Sequence, residues 1–128
     1  MDIKIGSVAK KQELVTENNT AARFASGTAL VYATPALIGL MEAAAVAAIE
    51  DQLPLGYSTV GIHLDVSHLA ATPIGLTVTA TATLIRVDGK KLYFEVTADD
   101  DKGIVGNGTH ERFIVDSKKF MEKAEAKK

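Results

Sequence analysis

The period of the hydrophobic pattern changes partway along this chain. After Pro35 and up to Ile49 every residue is Ala, Leu, Ile, Met, Val or Gly except Glu42, so nearly every face of a helix there is apolar. A helix of that kind is buried rather than laid on a surface. Ala33-Thr34-Pro35 supplies its start, with Thr34 as N-cap and Pro35 at the first helical position, where a missing N–H costs nothing. Beyond Leu53-Pro54-Leu55-Gly56 the period becomes two: Val60, Ile62, Leu64 and Val66 alternate with Thr59, Gly61, His63, Asp65 and Ser67. Leu76, Val78, Ala80, Ala82 and Leu84 then alternate with threonines at 77, 79, 81 and 83.

Val87-Asp88-Gly89-Lys90 contains the Asp-Gly pair of a type I′ hairpin, leading into Leu92, Phe94, Val96 and Ala98 on one face. Asp99 to Gly103 reads as the next turn, Ile104 to Val115 as a further extended segment, and Ser117 as the cap of a charged C-terminal helix. Upstream, Gln12 to Thr16 is a short extended candidate and Glu17-Asn18-Asn19-Thr20 a loop. One apolar helix followed by consecutive strands with hairpin-length links predicts an α+β fold, an antiparallel sheet curled round the helix, in one domain spanning residues 1–128.

Phe24 to Met41 carries no charge and is long enough to span a bilayer. Gly27, Thr28, Thr34, Pro35, Gly39 and the carboxylate of Glu42 favour a buried helix with its lead-in instead. Met1 to Glu13 mixes lysines with acids and has no apolar run, so no secretory or transit segment is expected and the setting is cytoplasmic. A net charge of −2 argues against general nucleic-acid binding. The absence of cysteine removes thiolate catalysis, Cys-type zinc sites and iron–sulfur clusters.

The chemistry is sought where polar groups interrupt the apolar pattern, since a buried polar group without a partner costs about 1–3 kcal/mol. Glu42 is the only charged residue between Arg23 and Glu50. It opens to solvent at a gap in the sheet, pairs with an arginine, or serves a reaction. His68 has the parity of Ile62, Leu64 and Val66; a lone histidine on such a face is more often a satisfied core residue than a catalyst. A sheet wrapped round the helix would let Glu42 and His68 satisfy each other, the carboxylate orienting the imidazole. Thr34, if only a cap, needs no function, yet the same helix N-terminus presents free N–H groups to an oxyanion. Gly61 marks a bulge or a close approach to backbone. Arg112 is an anion anchor or an ion-paired residue on an end strand.

Asp99-Asp100-Asp101 hints at a cation loop, but the position that calls for a bidentate glutamate is His110, and a solvated hairpin suits the residues better. Gly106-Asn107-Gly108 lacks the rest of a dinucleotide fingerprint, and His63, His68 and His110 lack metal-ligand spacing, so no metal is expected. The C-terminal lysines, interleaved with Glu122 and Glu125, read as a solvated helix face.

Ala33-Thr34-Pro35 with Gly39-Leu40-Met41-Glu42, then Val66-Ser67-His68-Leu69-Ala70-Ala71-Thr72-Pro73 and Gly75-Leu76-Thr77-Val78, then Gly108-Thr109-His110-Glu111-Arg112, resemble the fluoroacetyl-CoA thioesterase-like group of the hotdog superfamily. The resemblance runs from about Ala25 to Val115. It implies a five-stranded antiparallel sheet wrapped round a central helix, a homodimer or dimer of dimers, and an interface site that hydrolyses acyl-coenzyme A without a cofactor. Nucleic acid and membrane are not implied as partners. It also implies that Thr34 is the catalytic hydroxyl, Glu42 the carboxylate and His68 the histidine. In the same way Gly61 corresponds to a backbone N–H that holds the thioester carbonyl, and Arg112 to a ligand-contacting arginine. The fluoroacetyl-CoA enzymes carry a longer covering segment before the helix, whereas Asn18 to Ala29 is short here with only Phe24, so a small acyl-CoA is the substrate implied. Two other activities suit such a fold: an acyl-thioester hydratase or dehydratase, and a non-enzymatic acyl-CoA or small-ligand binding module.

Overall fold

A computed structural model describes residues 1–128. Five strands, β1 (Val8–Leu14), β2 (Tyr57–His68), β3 (Thr77–Asp88), β4 (Lys91–Asp100) and β5 (Gly103–Asp116), form one antiparallel sheet in the order β1-β3-β4-β5-β2. A four-residue helix α1 (Ala21–Phe24), the long helix α2 (Thr34–Ile49) and the C-terminal α3 (Ser117–Glu125) complete the α+β fold. The alternation read from β3 and β4 is the core itself. Val78, Ala80, Ala82 and Leu84 face Leu92, Phe94, Val96 and Ala98, all at most 1% exposed, against Leu37, Met41, Ala44, Ala45 and Ile49 of α2. The small side chains of β3 and α2 let the helix lie close to the sheet.

The helix sits mainly against β1 and β3 and touches β4 and β2 less. It is therefore not enclosed on all sides as its composition implies: Pro35, Gly39 and Ala43 are exposed in the single chain. The polar residues that interrupt the apolar pattern lie where α2 meets β2 and β5.

Strand β2 departs from simple alternation, which corrects the sequence reading. Its register with β5 runs Val60↔Phe113 and Gly61↔Arg112, then resumes at His63↔Glu111, so Ile62 is an extra, bulged residue. The inserted residue exchanges the two faces. Thr59 and Gly61 consequently share the helix-facing side with Arg112 and Ile114, while Ile62 is 49% exposed; past the bulge Leu64, Val66 and His68 turn inward.

Smaller corrections have equally local causes. The first strand begins at Val8, because the charged residues before Gln12 pair along the edge of β3. Asp88 is the last residue of β3 and pairs with Lys91, leaving Gly89-Lys90 as the two-residue turn, and positive φ occurs at Gly89 alone. That is the pattern of a type II′ turn rather than I′. Asp116, not Ser117, caps α3 by accepting from the Lys119 N–H, and the Ser117 hydroxyl bonds that of Ser58. Within the aspartate run, Asp100 accepts from the Thr72 hydroxyl at 2.7 Å and from the Lys102 N–H. No helix is long and apolar enough to cross a membrane, α2 having 16 residues.

Candidate active site

The residues singled out from sequence fall into two clusters along α2. At the N-terminal end Ala33 is the cap residue, so Thr34 is the first helical residue and its hydroxyl does not cap the helix. The hydroxyl is instead 2.7 Å from His68 Nδ1, at the end of β2. The N–H groups of this first turn have no acceptor within the helix. His68 is half-buried, and burial lowers its pKa below the ordinary 6.5, so the neutral imidazole is favoured. Its Nε2 is buried without a hydrogen-bond partner in the single chain. A cavity of about 270 Å³ beside the pair is lined by Tyr32, Thr34, His68 and Leu69.

The second cluster surrounds Glu42, two turns further along and so about 12 Å up the helix axis. Glu42 Oε2 accepts from Arg112 Nη1 at 3.2 Å. Glu42 and His68 therefore do not satisfy each other within one chain; each has a different partner. Nor does Arg112 lie on an end strand: β5 is flanked by β4 and β2, and the residue is 6% exposed. All three guanidinium nitrogens are engaged, with Nε donating to Thr59 Oγ1 at 2.8 Å, Nη2 to the Thr59 carbonyl at 3.0 Å, and Nη1 lying 3.1 Å from His110 Nε2; the second Nη2 N–H has no partner among these. Burial lowers the Arg112 pKa, and the Glu42 carboxylate opposes that shift.

Gly61 belongs here because no side chain fits. A Cβ on it would lie 2.6 Å from Glu42 Oε2, 3.2 Å from His110 Cε1 and 3.3 Å from Arg112 Nη1. Gly61→Ala is thus expected to part the Glu42–Arg112 pair, costing about 1–3 kcal/mol of stability by overpacking. Chemical denaturation checks this, and an unchanged midpoint would mean that the carboxylate relaxes freely away.

Thr59 and His110 carry no site role in the sequence reading. His110 had a detectable signal, being two residues from Arg112 on one strand and hence on the same face. Thr59 had none, because the bulge at Ile62 reverses its apparent side. His63 is exposed, although its carbonyl meets the His110 ring. No group of three or more His, Asp or Glu side chains is arranged to hold a metal ion. The largest cavity, about 610 Å³, lies on the opposite flank between β1 and α2. It contains none of these groups, and the exposed Pro35, Gly39 and Ala43 of α2 form part of its wall. Phe24 borders the larger groove and does not line the smaller cavity.

Comparison with known proteins places the chain in a family. The family model described as fluoroacetyl-CoA-specific thioesterase matches residues 15–118. The fluoroacetyl-CoA thioesterase of Streptantibioticus cattleyicolor is 44% identical over 97 residues, which are 76% of this chain and 70% of that protein. The solved structure of the fluoroacetyl-CoA thioesterase FlK superposes with a TM-score of 0.94 at 34% identity, covering 100% of this chain and 99% of that one. A thioesterase superfamily member from Thermus thermophilus gives a TM-score of 0.90 at 27% identity, with 98% of this chain and 93% of that one covered. The chain belongs to the fluoroacetyl-CoA-specific thioesterase family, whose members are hotdog-fold thioester hydrolases.

Proposed function

We propose that this protein is a cytoplasmic acyl-CoA thioesterase that releases a small acid and coenzyme A, and that its working site is shared between two copies of the chain. The single observation that carries the shared site is the orphaned His68 Nε2. If Thr34 Oγ1 donates to Nδ1, as a hydroxyl that gives its proton to the ring must, the ring's own proton resides on Nε2, and a buried N–H without an acceptor is costly. The Glu42 of the same chain is bonded elsewhere and lies about 12 Å along the helix. A second copy supplies what is missing. Strand β2 is a 12-residue sheet edge with an unpaired row of backbone groups, and edge-to-edge pairing about a two-fold axis runs the second β2 antiparallel. The His68 end of one strand then approaches the Gly61 region of the other, and with it the partner subunit's Glu42.

In this arrangement neutral His68 takes a proton from Thr34, or from a water that Thr34 orients, as the oxygen attacks the thioester carbonyl. The partner's carboxylate stabilises the imidazolium that forms. The backbone N–H of the partner subunit's Gly61 and the free N–H groups at the start of α2 receive the developing oxyanion. His68 returns the proton to the departing thiolate of coenzyme A; where Thr34 is the attacking group, a water deprotonated by His68 then attacks the acyl-threonine ester, and Thr34 Oγ1 takes that proton back as the acid leaves. Arg112 fixes Glu42, and its remaining Nη2 N–H is the group with which it would contact the substrate. Because Phe24 stands on the other groove, nothing in the chain closes over a fluorinated acyl group in particular, and a short acyl chain is the substrate class.

Free-thiol release from short, branched, aromatic and long acyl-CoAs, followed in parallel with hydration of an enoyl-CoA, tests the reading. Thiol release with a preference for short chains is expected. Hydration without release would point to a hydratase, and tight binding with neither reaction to a ligand-binding module.

A further inference from the structure

We infer that His110 is a positioning residue for Glu42, presenting the Nε2 lone pair to Arg112 so that the guanidinium engages only one oxygen of the Glu42 carboxylate and leaves the other for the reaction. The inference rests on the proposed role of Glu42 and extends it to a group that no part of that mechanism uses.

Both hydrogen bonds of the His110 ring are dictated by their partners. Nδ1 is 2.8 Å from the His63 carbonyl, which only accepts, so Nδ1 carries the proton. Nε2 is 3.1 Å from Arg112 Nη1, which only donates, so Nε2 carries the lone pair. This tautomer is the one neutral form that satisfies both, and an imidazolium would set N–H against N–H. Burial, the principal cause, and the Arg112 charge hold the His110 pKa below its ordinary 6.5. The His63 carbonyl and the charges of Glu42 and Glu111 act the other way. The ring is itself fixed, being 0% exposed with its centroid 6.3 Å from that of Phe94.

The bulge at Ile62 has a purpose in this arrangement. It brings the carbonyl of His63 onto His110 while Gly61 stays level with Arg112 and Thr59, level with Ile114, stays within the reach of the guanidinium. Arg112 is thereby held from three sides, by Thr59, His110 and Glu42, and Glu42 Oε2 is the only atom of the carboxylate that it holds. Losing the histidine acceptor frees Nη1 to move, and Glu42 moves with it.

Two substitutions separate the halves of the ring. Asn in His110→Asn reaches as far as Nδ1 and keeps the donor to His63 but removes the acceptor for Arg112; Gln in His110→Gln reaches the Nε2 position and restores an acceptor. His110→Asn is expected to lower kcat about a hundredfold with little change in KM, as displacement of a reacting group does, and His110→Gln to recover most of it. In a Glu42→Gln background His110→Asn is expected to add almost nothing. An equal fall in that background, or none in either, would overturn the inference. Ring ¹⁵N shifts of His110 in the wild-type protein at pH 7 provide an arm that needs neither turnover nor a foldable variant. A proton on Nδ1 and a bare Nε2 support the inference, and the opposite tautomer or an imidazolium overturns it. Absence of thiol release from wild type, with the expected tautomer present, would count against the thioesterase reading and not against the hydrogen-bonded arrangement.

Discussion

His68→Ala is expected to lower thioester turnover by about 10²–10⁴-fold while leaving the fold intact, the range that removal of a positioned general acid–base spans. The side chain stands at the end of β2, half-buried, and its only side-chain partner is the Thr34 hydroxyl at 2.7 Å. Truncation thus empties a rim position and removes one hydrogen bond, whereas in the reaction it removes the sole nitrogen base in contact with that hydroxyl. The pH profile of the wild type carries the same signature. A base works in its neutral form, so activity is expected to fall as the His68 ring takes up a proton; burial lowers the pKa of that step and the partner's carboxylate opposes the shift, so Glu42→Gln is expected to move the fall to lower pH. Steady-state thiol release across pH, with circular dichroism to confirm the fold, checks both. A variant that is folded and as active as wild type would remove His68 from the chemistry.

Glu42→Gln is the second large effect, a loss of about a thousandfold in kcat with the fold retained. The amide keeps the shape of the side chain and an oxygen that accepts from Arg112, so the hub formed by Arg112, Thr59 and His110 loses a charge and no hydrogen bond. What the proposed shared site loses is the negative charge that faces the partner's imidazolium. Replacing the carboxylate that orients a catalytic histidine by its amide disfavours the working tautomer and costs on this scale in other triad-like sites. Removing the whole side chain by Glu42→Ala is a poorer probe, because it takes the hydrogen-bond acceptor as well as the counter-charge from the buried guanidinium of Arg112. Comparing kcat and KM for Glu42→Gln separates a role in the transition state from one in binding; a rise in KM at unchanged kcat would assign Glu42 to substrate binding.

Much of the architecture was legible because the governing patterns are local. The apolar run after Pro35 and the strict alternation of β3 and β4 each mark their core positions without reference to the rest of the chain, and those residues are the buried ones. Strand β2 was misread for an equally definite reason. A single bulged residue, Ile62, reverses the inward side, and no local signal in Val60-Gly61-Ile62-His63 states on which side of the extra residue the exchange occurs. Parity gave His68 the correct face only because the count begins afresh after the bulge.

The candidate site residues Thr34, Glu42 and His68 stood out as polar interruptions of apolar patterns, which is a property of sequence. Their pairing is a property of register between distant strands. Glu42 meets Arg112 across 70 positions of chain, and Thr34 meets His68 across 34. Ala33 rather than Thr34 caps α2, which releases the hydroxyl for His68, and that exchange is decided by where β2 ends. Thr59 and His110 escaped notice because their importance lies in holding another residue.

The most direct test of the shared site is subunit complementation. His68→Ala and Glu42→Gln chains are co-expressed with different affinity tags, the mixed species is isolated through both tags, and its thiol release is compared with that of each variant alone. If Thr34 and His68 of one copy work with Glu42 of the other, the mixed dimer holds one intact site and one doubly altered site, and about half of the wild-type activity returns. A mixed dimer no more active than its two parents would show that Glu42 and His68 act, if at all, within one chain, and would contradict the shared site.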